Sequence, residues 1–134
     1  YSASPRDYNE STIQAMLDYP SIMPSLHLPV QSGSNSVLRR MARGYTIEEY
    51  KEVYDRLKQR IPNITFTTDL IVGFPGETEE EFQETLDLVD YCRFDNACKM
   101  SLCSLAYFQK QAEKLQVYIS QFGHCRLAIG RLRT

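Results

Sequence analysis

Apolar and polar positions alternate between helical and strand periods along most of this chain. Asn9 is placed to cap a short helix whose Ile13, Met16 and Leu17 fall on one side, and Pro20 and Pro24 stop it. Leu26-His-Leu-Pro-Val30 is an apolar run read as a strand. Pro29 makes it an irregular strand end, because proline cannot donate to a ladder. The polar turn Gln31-Ser-Gly-Ser-Asn35 follows directly. Thr46 with Glu49 then forms a capping box, and Ile47, Tyr50, Val53, Tyr54 and Leu57 continue at helical spacing until Pro62. Residues 64–72 are rich in β-branched side chains and predict a second strand, broken by Gly73-Phe-Pro-Gly76. Thr78 with Glu81 makes a second capping box, with Glu79, Glu80 and Glu81 at the positive helix end and Phe82, Leu86 and Val89 on the buried side.

Residues 26–90 therefore read strand, helix, strand, helix. Crossovers of this length imply parallel strands, in either a doubly wound sheet or a barrel. In both, ligands gather at the carboxyl ends of the strands, where the turns 31–35 and 73–77 lie. A further amphipathic helix is predicted over 101–122, from Leu102, Leu105, Ala106, Ala112, Leu115, Tyr118, Ile119 and Phe122.

Length and composition narrow the class without changing this picture. A chain of 134 residues with 43% apolar and 24% charged residues is an ordinary globular domain, which excludes collagen-like, low-complexity and disordered classes. No apolar run approaches the ~20 residues of a membrane helix, and no secretory leader pattern opens the chain, so a cytoplasmic protein with no membrane partner is expected. The first residue is Tyr1 rather than Met, as in a segment cut from something longer. Net charge is −2, but its distribution is uneven. Residues 96–134 carry six Lys/Arg and one acid, against nine bases and sixteen acids over 1–95. A basic tail of this kind is either the solvated face of a helix or an RNA contact. Cys92, Cys98, Cys103 and Cys125 match no zinc or paired-cysteine spacing and are read as reduced thiols, with no metal site. The sequons at Asn9 and Asn63 are read as chance matches.

Candidate chemistry sits at the two turns. Gly73-Phe-Pro-Gly-Glu-Thr78 allows close backbone approach, and the following helix start could hold an anion; a plain capped turn reads equally well. Gln31, Ser32 and Ser34 offer hydrogen-bonding groups fit for a ribose or a carboxylate, or simply form the turn. Arg39, Arg40 and Arg43 could clamp a carboxylate or lie exposed on a helix. His27 stands in an apolar strand, as a hydrogen-bonded core residue does. Asp69, within a strand expected to be mostly buried, needs a partner.

Three stretches taken together, His27-Leu-Pro-Val-Gln-Ser-Gly-Ser34, Met41-Ala-Arg-Gly-Tyr-Thr46 and Thr68-Asp-Leu-Ile-Val-Gly-Phe-Pro-Gly-Glu-Thr78, resemble one family in order and spacing. It is the radical S-adenosylmethionine methylthiotransferases, and most of all their MiaB-type tRNA-modifying branch. Ser4-Pro-Arg-Asp-Tyr8 is similar to that family's strand-three exit, and the resemblance runs from about residue 1 to Ala97. It implies an α/β fold that is part of a radical-SAM-type (β/α) partial TIM barrel, here followed by the C-terminal amphipathic helix. It also implies S-adenosylmethionine and 4Fe-4S clusters as cofactors, tRNA as partner, and addition of a methylthio group to C2 of N6-isopentenyladenosine near the anticodon. A sister branch modifies an aspartate of a ribosomal protein, and a non-catalytic nucleotide- or partner-binding α/β module is the alternative from another class.

Carried over position by position, the resemblance places Gln31 and Ser32 at the fourth strand's contact with S-adenosylmethionine. It places Arg43 on the methionine carboxylate, and Ile71, Val72 and Gly73 beside the adenine. Phe74 and Pro75 would shape the pocket, and no catalytic residue is assigned. The family's Cys-x3-Cys-x2-Cys triplet is absent from this sequence, so residues 1–134 alone are expected to hold no cluster and to be inactive. The organisation expected is a barrel-core piece over 1–97 and a divergent, basic, helical tail over 98–134. Motif and charge change together near residue 97, as a shifted reading frame or a divergent tail would make them.

Overall fold

The structure is a computed structural model that describes residues 4–19, 21–101, 113–118, 120 and 126–131. In chain order its elements are a 3-10 turn (Pro5–Asp7), α1 (Glu10–Asp18), β1 (Ser25–His27), α2 (Asn35–Arg40), α3 (Ile47–Arg60), β2 (Thr65–Val72), α4 (Glu79–Cys92), β3 (Asn96–Ser101) and β4 (Arg126–Arg131). Residues 113–118 and 120 are helical as well.

The three longer helices begin where the sequence caps them. Asn9 accepts from the Thr12 amide ahead of α1, and full capping boxes close the starts of α3 (Thr46 with Glu49) and α4 (Thr78 with Glu81). Each box satisfies two backbone donors that a helix start leaves free. The predicted faces are the buried ones: Ile47, Tyr50, Tyr54 and Leu57 on α3, and Phe82, Leu86 and Val89 on α4.

All strand pairs are parallel, and the sheet order is β1-β2-β3-β4. A doubly wound sheet reverses its order at a switch point, whereas a barrel sets each strand beside its predecessor. The order seen here is the barrel's. Along β2, Phe66, Thr68, Leu70 and Val72 are buried against the helices, while Thr67, Asp69 and Ile71 on the opposite face are only partly covered. Tyr54 of α3 stacks on Phe66 with ring centroids 4.5 Å apart, fixing α3 on the sheet.

Strand β1 is shorter than the apolar run predicts. Regular pairing stops at His27, although Leu28 and Val30 are fully buried. Leu28 N still donates to Thr67 O at 2.8 Å, and the register then slips by one residue across Pro29 and Val30, an irregular strand end of the kind proline accompanies. Contact resumes at a single bridge, Gln31 with Leu70, where Gln31 N donates to Asp69 O at 2.9 Å and Ile71 N donates to Gln31 O at 2.7 Å. Buried side-chain hydroxyls fill the gap. Thr68 Oγ1 donates to Leu28 O at 2.9 Å and accepts from Val30 N at 3.1 Å. Tyr50 donates to Leu28 O at 2.8 Å, and Tyr45 donates to Val30 O at 3.1 Å.

Other differences have causes of shorter and longer range. The N-terminal segment expected as a loop holds a 3-10 turn closed by a Ser4–Asp7 box. The turn 31–35 leads into α2, a helix of six residues whose Val37 and Leu38 are buried; so short a run leaves almost no periodic signal. The helix predicted over 101–122 is helical at 113–118 and 120, whereas Ser101 belongs to β3 and residues 102–112, 119 and 121–122 lie outside those described. β3 runs across the boundary placed after Ala97, and β4 lies where the tail was expected to be helical. Both strands gain their hydrogen bonds from non-local partners, which no local period reports. Among the described residues no helix is long and apolar enough to cross a membrane.

Thr68→Val keeps the shape of the side chain and removes its hydroxyl, leaving Val30 N unpaired in the core. A loss of about 1–3 kcal/mol in urea unfolding is expected, the range for an orphaned buried donor.

Candidate functional site

The carboxyl ends of β1 and β2 meet at Gln31 and Ile71, and two turns leave from this point. The first turn is bound to α4. Gly33 N donates to Thr85 Oγ1 at 2.9 Å, and Ser32 Oγ lies 3.4 Å from the same hydroxyl while accepting from Ser34 N at 3.2 Å. A Cβ on Gly33 would stand 2.4 Å from Glu84 O and 2.5 Å from Thr85 Cα, so only glycine permits this approach of turn to helix.

The second turn is held from inside and outside. Gly73 has φ +71°, a backbone state open to glycine, and its amide donates to Glu77 Oε2 at 2.5 Å. Glu77 is only 5% exposed, and its Oε1 is buried with no partner among the described residues. Burial pushes the Glu77 carboxyl above its ordinary range, and the amides of Gly73 and Phe74 offset that only in part. On the outside, Arg40 grips Glu81 through two bonds of 2.8 and 2.7 Å, and also reaches Gly76 O and Ser36 Oγ. The guanidinium holds the Glu81 carboxyl down to about 2.

The six predicted contact residues divide into two groups. Gln31, Gly73 and Ile71 stand at the strand ends: Ile71 is partly exposed on the face away from the helices, whereas Gln31 is only 7% exposed and bridges the buried Leu70. Arg43 is exposed in the loop after α2, and its charge acts on Tyr45, whose hydroxyl reaches back to the Val30 carbonyl at the end of β1. The side chains of Ser32 and Val72 are fully buried, Ser32 beside Thr85 and Val72 among the core residues. These two can offer only backbone to a ligand. Of the other arginines, Arg40 is committed to Glu81. His27 is half exposed rather than buried in the core, and it is the partner that Asp69 requires.

The sequence reading missed Glu77, seeing it only as part of a turn. The signal lay in its position, four residues past a glycine at a strand end and ahead of its own helix cap. A cleft of about 430 Å³ lies behind the first turn, walled by Arg39, Lys51, Glu84 and Asp87, and none of the six predicted residues lines it.

S-adenosylmethionine and an iron–sulfur cluster meet different fits here. Ile71 offers a partly exposed apolar side chain at the end of β2, and Arg43 an exposed cation with no ion pair among the described residues; these are the kinds of group that an adenine and a carboxylate bind. A cluster needs thiolates. Cys92 is buried under α4 with its thiol pushed up to about 12 by burial, and the other described thiol is Cys98. Among the described residues no set of three His, Cys, Asp or Glu is placed to hold a metal. Cys103 and Cys125 lie outside those residues.

A sequence model of the Radical SAM superfamily matches residues 1–89. The chain is 52% identical over 96 residues to the tRNA-2-methylthio-N(6)-dimethylallyladenosine synthase of Acidothermus cellulolyticus, a match covering 72% of this chain and 19% of that protein. It is 53% identical over 96 residues to the synthase of the same name from Thermoanaerobacter sp. (strain X514), covering 72% and 20%. For the synthase of Carboxydothermus hydrogenoformans the identity is 50% over 96 residues, covering 72% and 22%. The chain thus spans about a fifth of the length of these curated relatives.

A carboxyl whose proton is held more tightly in the folded state loses stability as pH rises from its unfolded value. Glu77 is such a group, so the wild type should lose stability relative to Glu77→Gln as pH rises above about 4.5, the ordinary value, and the gap should then level off. Urea midpoints of both proteins from pH 4 to 8 check this; a constant difference contradicts it.

Proposed function

The chain belongs to the radical SAM superfamily, and from that premise we propose that it is a piece of the catalytic barrel of a cytoplasmic tRNA methylthiotransferase. The observation that carries this is the convergence of Gln31, Ile71 and Gly73 at the carboxyl ends of neighbouring parallel strands in barrel order. The printed names of the relatives favour the tRNA branch over the ribosomal-protein branch. On this reading the target is C2 of an N6-isopentenyladenosine near the anticodon, which exchanges hydrogen for a methylthio group.

S-adenosylmethionine, when bound, supplies the 5′-deoxyadenosyl group of the reaction. The residues of this chain bind and orient. Ile71 would pack on the adenine ring and the turned backbone at Gly73 would let it approach, with the buried Gln31 holding the strand end at its bridge to Leu70. Arg43 pairs with the methionine carboxylate as a bidentate clamp. Ser32 and Val72 act through backbone, their side chains anchoring the turn and strand to the core. Among the described residues no set of side chains fits a 4Fe-4S cluster. Residues 1–97 are taken as the barrel piece and 98–134 as a basic tail that shares its sheet through β3 and β4.

Isothermal titration of the chain with S-adenosylmethionine tests this. Saturable binding is expected, about tenfold weaker in Arg43→Gln and in Ile71→Asp, with no iron–sulfur absorption after anaerobic reconstitution. No saturable heat, unchanged affinity in both variants, or a stable 4Fe-4S centre on this chain contradicts the reading.

A further inference from the structure

The loop between α2 and α3 is pinned at three points. At its start, Ala42 N donates to Arg39 O at 3.0 Å and Arg43 N donates to Leu38 O at 2.9 Å. These are the two bonds of a Schellman cap, whose turning residue is usually glycine. Here it is Ala42, at φ +55°, a left-handed state that a side chain makes costly. At the end of the loop, Thr46 closes the capping box of α3. Between the two, Tyr45 packs partly buried against the core.

The third point falls on a particular carbonyl. The Tyr45 hydroxyl donates to Val30 O at 3.1 Å and lies 3.4 Å from Pro29 O. Val30 O also accepts from Ser32 N at 2.9 Å, the bond that closes the turn around Gln31. One oxygen thus joins the turn at the end of β1 to the loop that carries Arg43. Arg43 is exposed, with no ion pair among the described residues. It stands close enough to Tyr45 for its charge to act there: burial pushes the Tyr45 hydroxyl up, and the guanidinium offsets part of that. A cation on a loop fixed beforehand has less ordering left to lose when it binds.

We propose that Tyr45 is a positioning residue, whose bond to Val30 O sets Arg43 beside the carboxyl end of β1 to receive a carboxylate. The proposal rests on the reading of Arg43 as the clamp for the carboxylate of S-adenosylmethionine, and adds the residue through which the strand end controls that clamp. The hydroxyl is the part that acts, since phenylalanine in its place keeps the ring against the core.

Isothermal titration of the wild type, Tyr45→Phe, Arg43→Gln and the double variant tests this, with S-adenosylmethionine and with 5′-methylthioadenosine, which lacks the carboxylate. In Tyr45→Phe, affinity for S-adenosylmethionine should fall about fivefold, the effect of one lost hydrogen bond, while 5′-methylthioadenosine binds as it does to the wild type. In the Arg43→Gln background the same substitution should change nothing, because a residue acting through another is not additive with it. Equal losses for both ligands, additive losses, or unchanged affinity in Tyr45→Phe overturn the inference. A ligand-free measurement separates it from the cofactor reading. In the isotopically labelled wild type, the Arg43 Nε–H signal should show Overhauser contacts to the Tyr45 ring, and Tyr45→Phe should lose them. Their absence from the wild type overturns the inference whether or not the variant folds. If S-adenosylmethionine does not bind the wild type while these contacts and their loss are seen, the cofactor assignment falls and the positioning of Arg43 by Tyr45 stands.

Discussion

A proline in a buried strand end is the constraint on which the rest of this structure turns. Pro29 lies where β1 gains an extra residue along β2: Leu28 N still donates to Thr67 O at 2.8 Å, and the next ladder donor is Gln31 N, on Asp69 O at 2.9 Å, rather than Val30 N. Leu28 and Val30 are nonetheless fully buried, and their polar backbone must find partners away from water. Thr68 supplies both a donor and an acceptor from the facing strand, and Tyr45 and Tyr50 cap the carbonyls from the direction of α3. The outcome is a chain lifted out of register and then returned to the sheet at Gln31, with φ +69°. That detour presents a turn, rather than another ladder residue, at the carboxyl end of the strand.

This turn and the one that follows β2 are tied to α4 by independent means. Gly33 lies against the backbone of Glu84 and Thr85, while Arg40 and the Glu81 carboxylate clasp the start of the same helix. Glu77 closes the loop from within, using one oxygen on the Gly73 amide and leaving the other buried with no partner among the described residues. A buried carboxylate with an unmet oxygen is costly, and such groups concentrate where geometry matters more than stability. The backbone proposed to face the ligand is thereby fixed in advance, which would lower the ordering cost of binding.

Legibility followed the range of the interactions. The caps at Asn9, Thr46 and Thr78 and the buried faces of α3 and α4 are local, and the sequence shows them directly. The motifs at 27–34 and 68–78 drew attention to the two turns because their residue types are unusual together. Side-chain direction was not legible. Ser32 and Val72 carry the right motif positions yet point into the core, because Thr85 and the pleat of β2 decide where they face. Glu77 and the pairing of His27 with Asp69 depend on which strand lies beside which. β3 and β4 exist through partners distant in sequence, and no local period announces them. Arg40 and Arg43 looked alike in sequence and part company in space, one locked on Glu81 and the other exposed.

The central claim is that Gln31, Ile71 and Gly73 form one preformed binding edge. Native-state hydrogen exchange, read residue by residue with and without S-adenosylmethionine, tests it most directly. The account predicts that the amides of Gln31, Ile71 and Gly73 are protected in the free chain, and that ligand slows exchange further in these residues together. Rapid exchange at Gln31 and Ile71 in the free chain, or ligand protection confined to other segments, would contradict it.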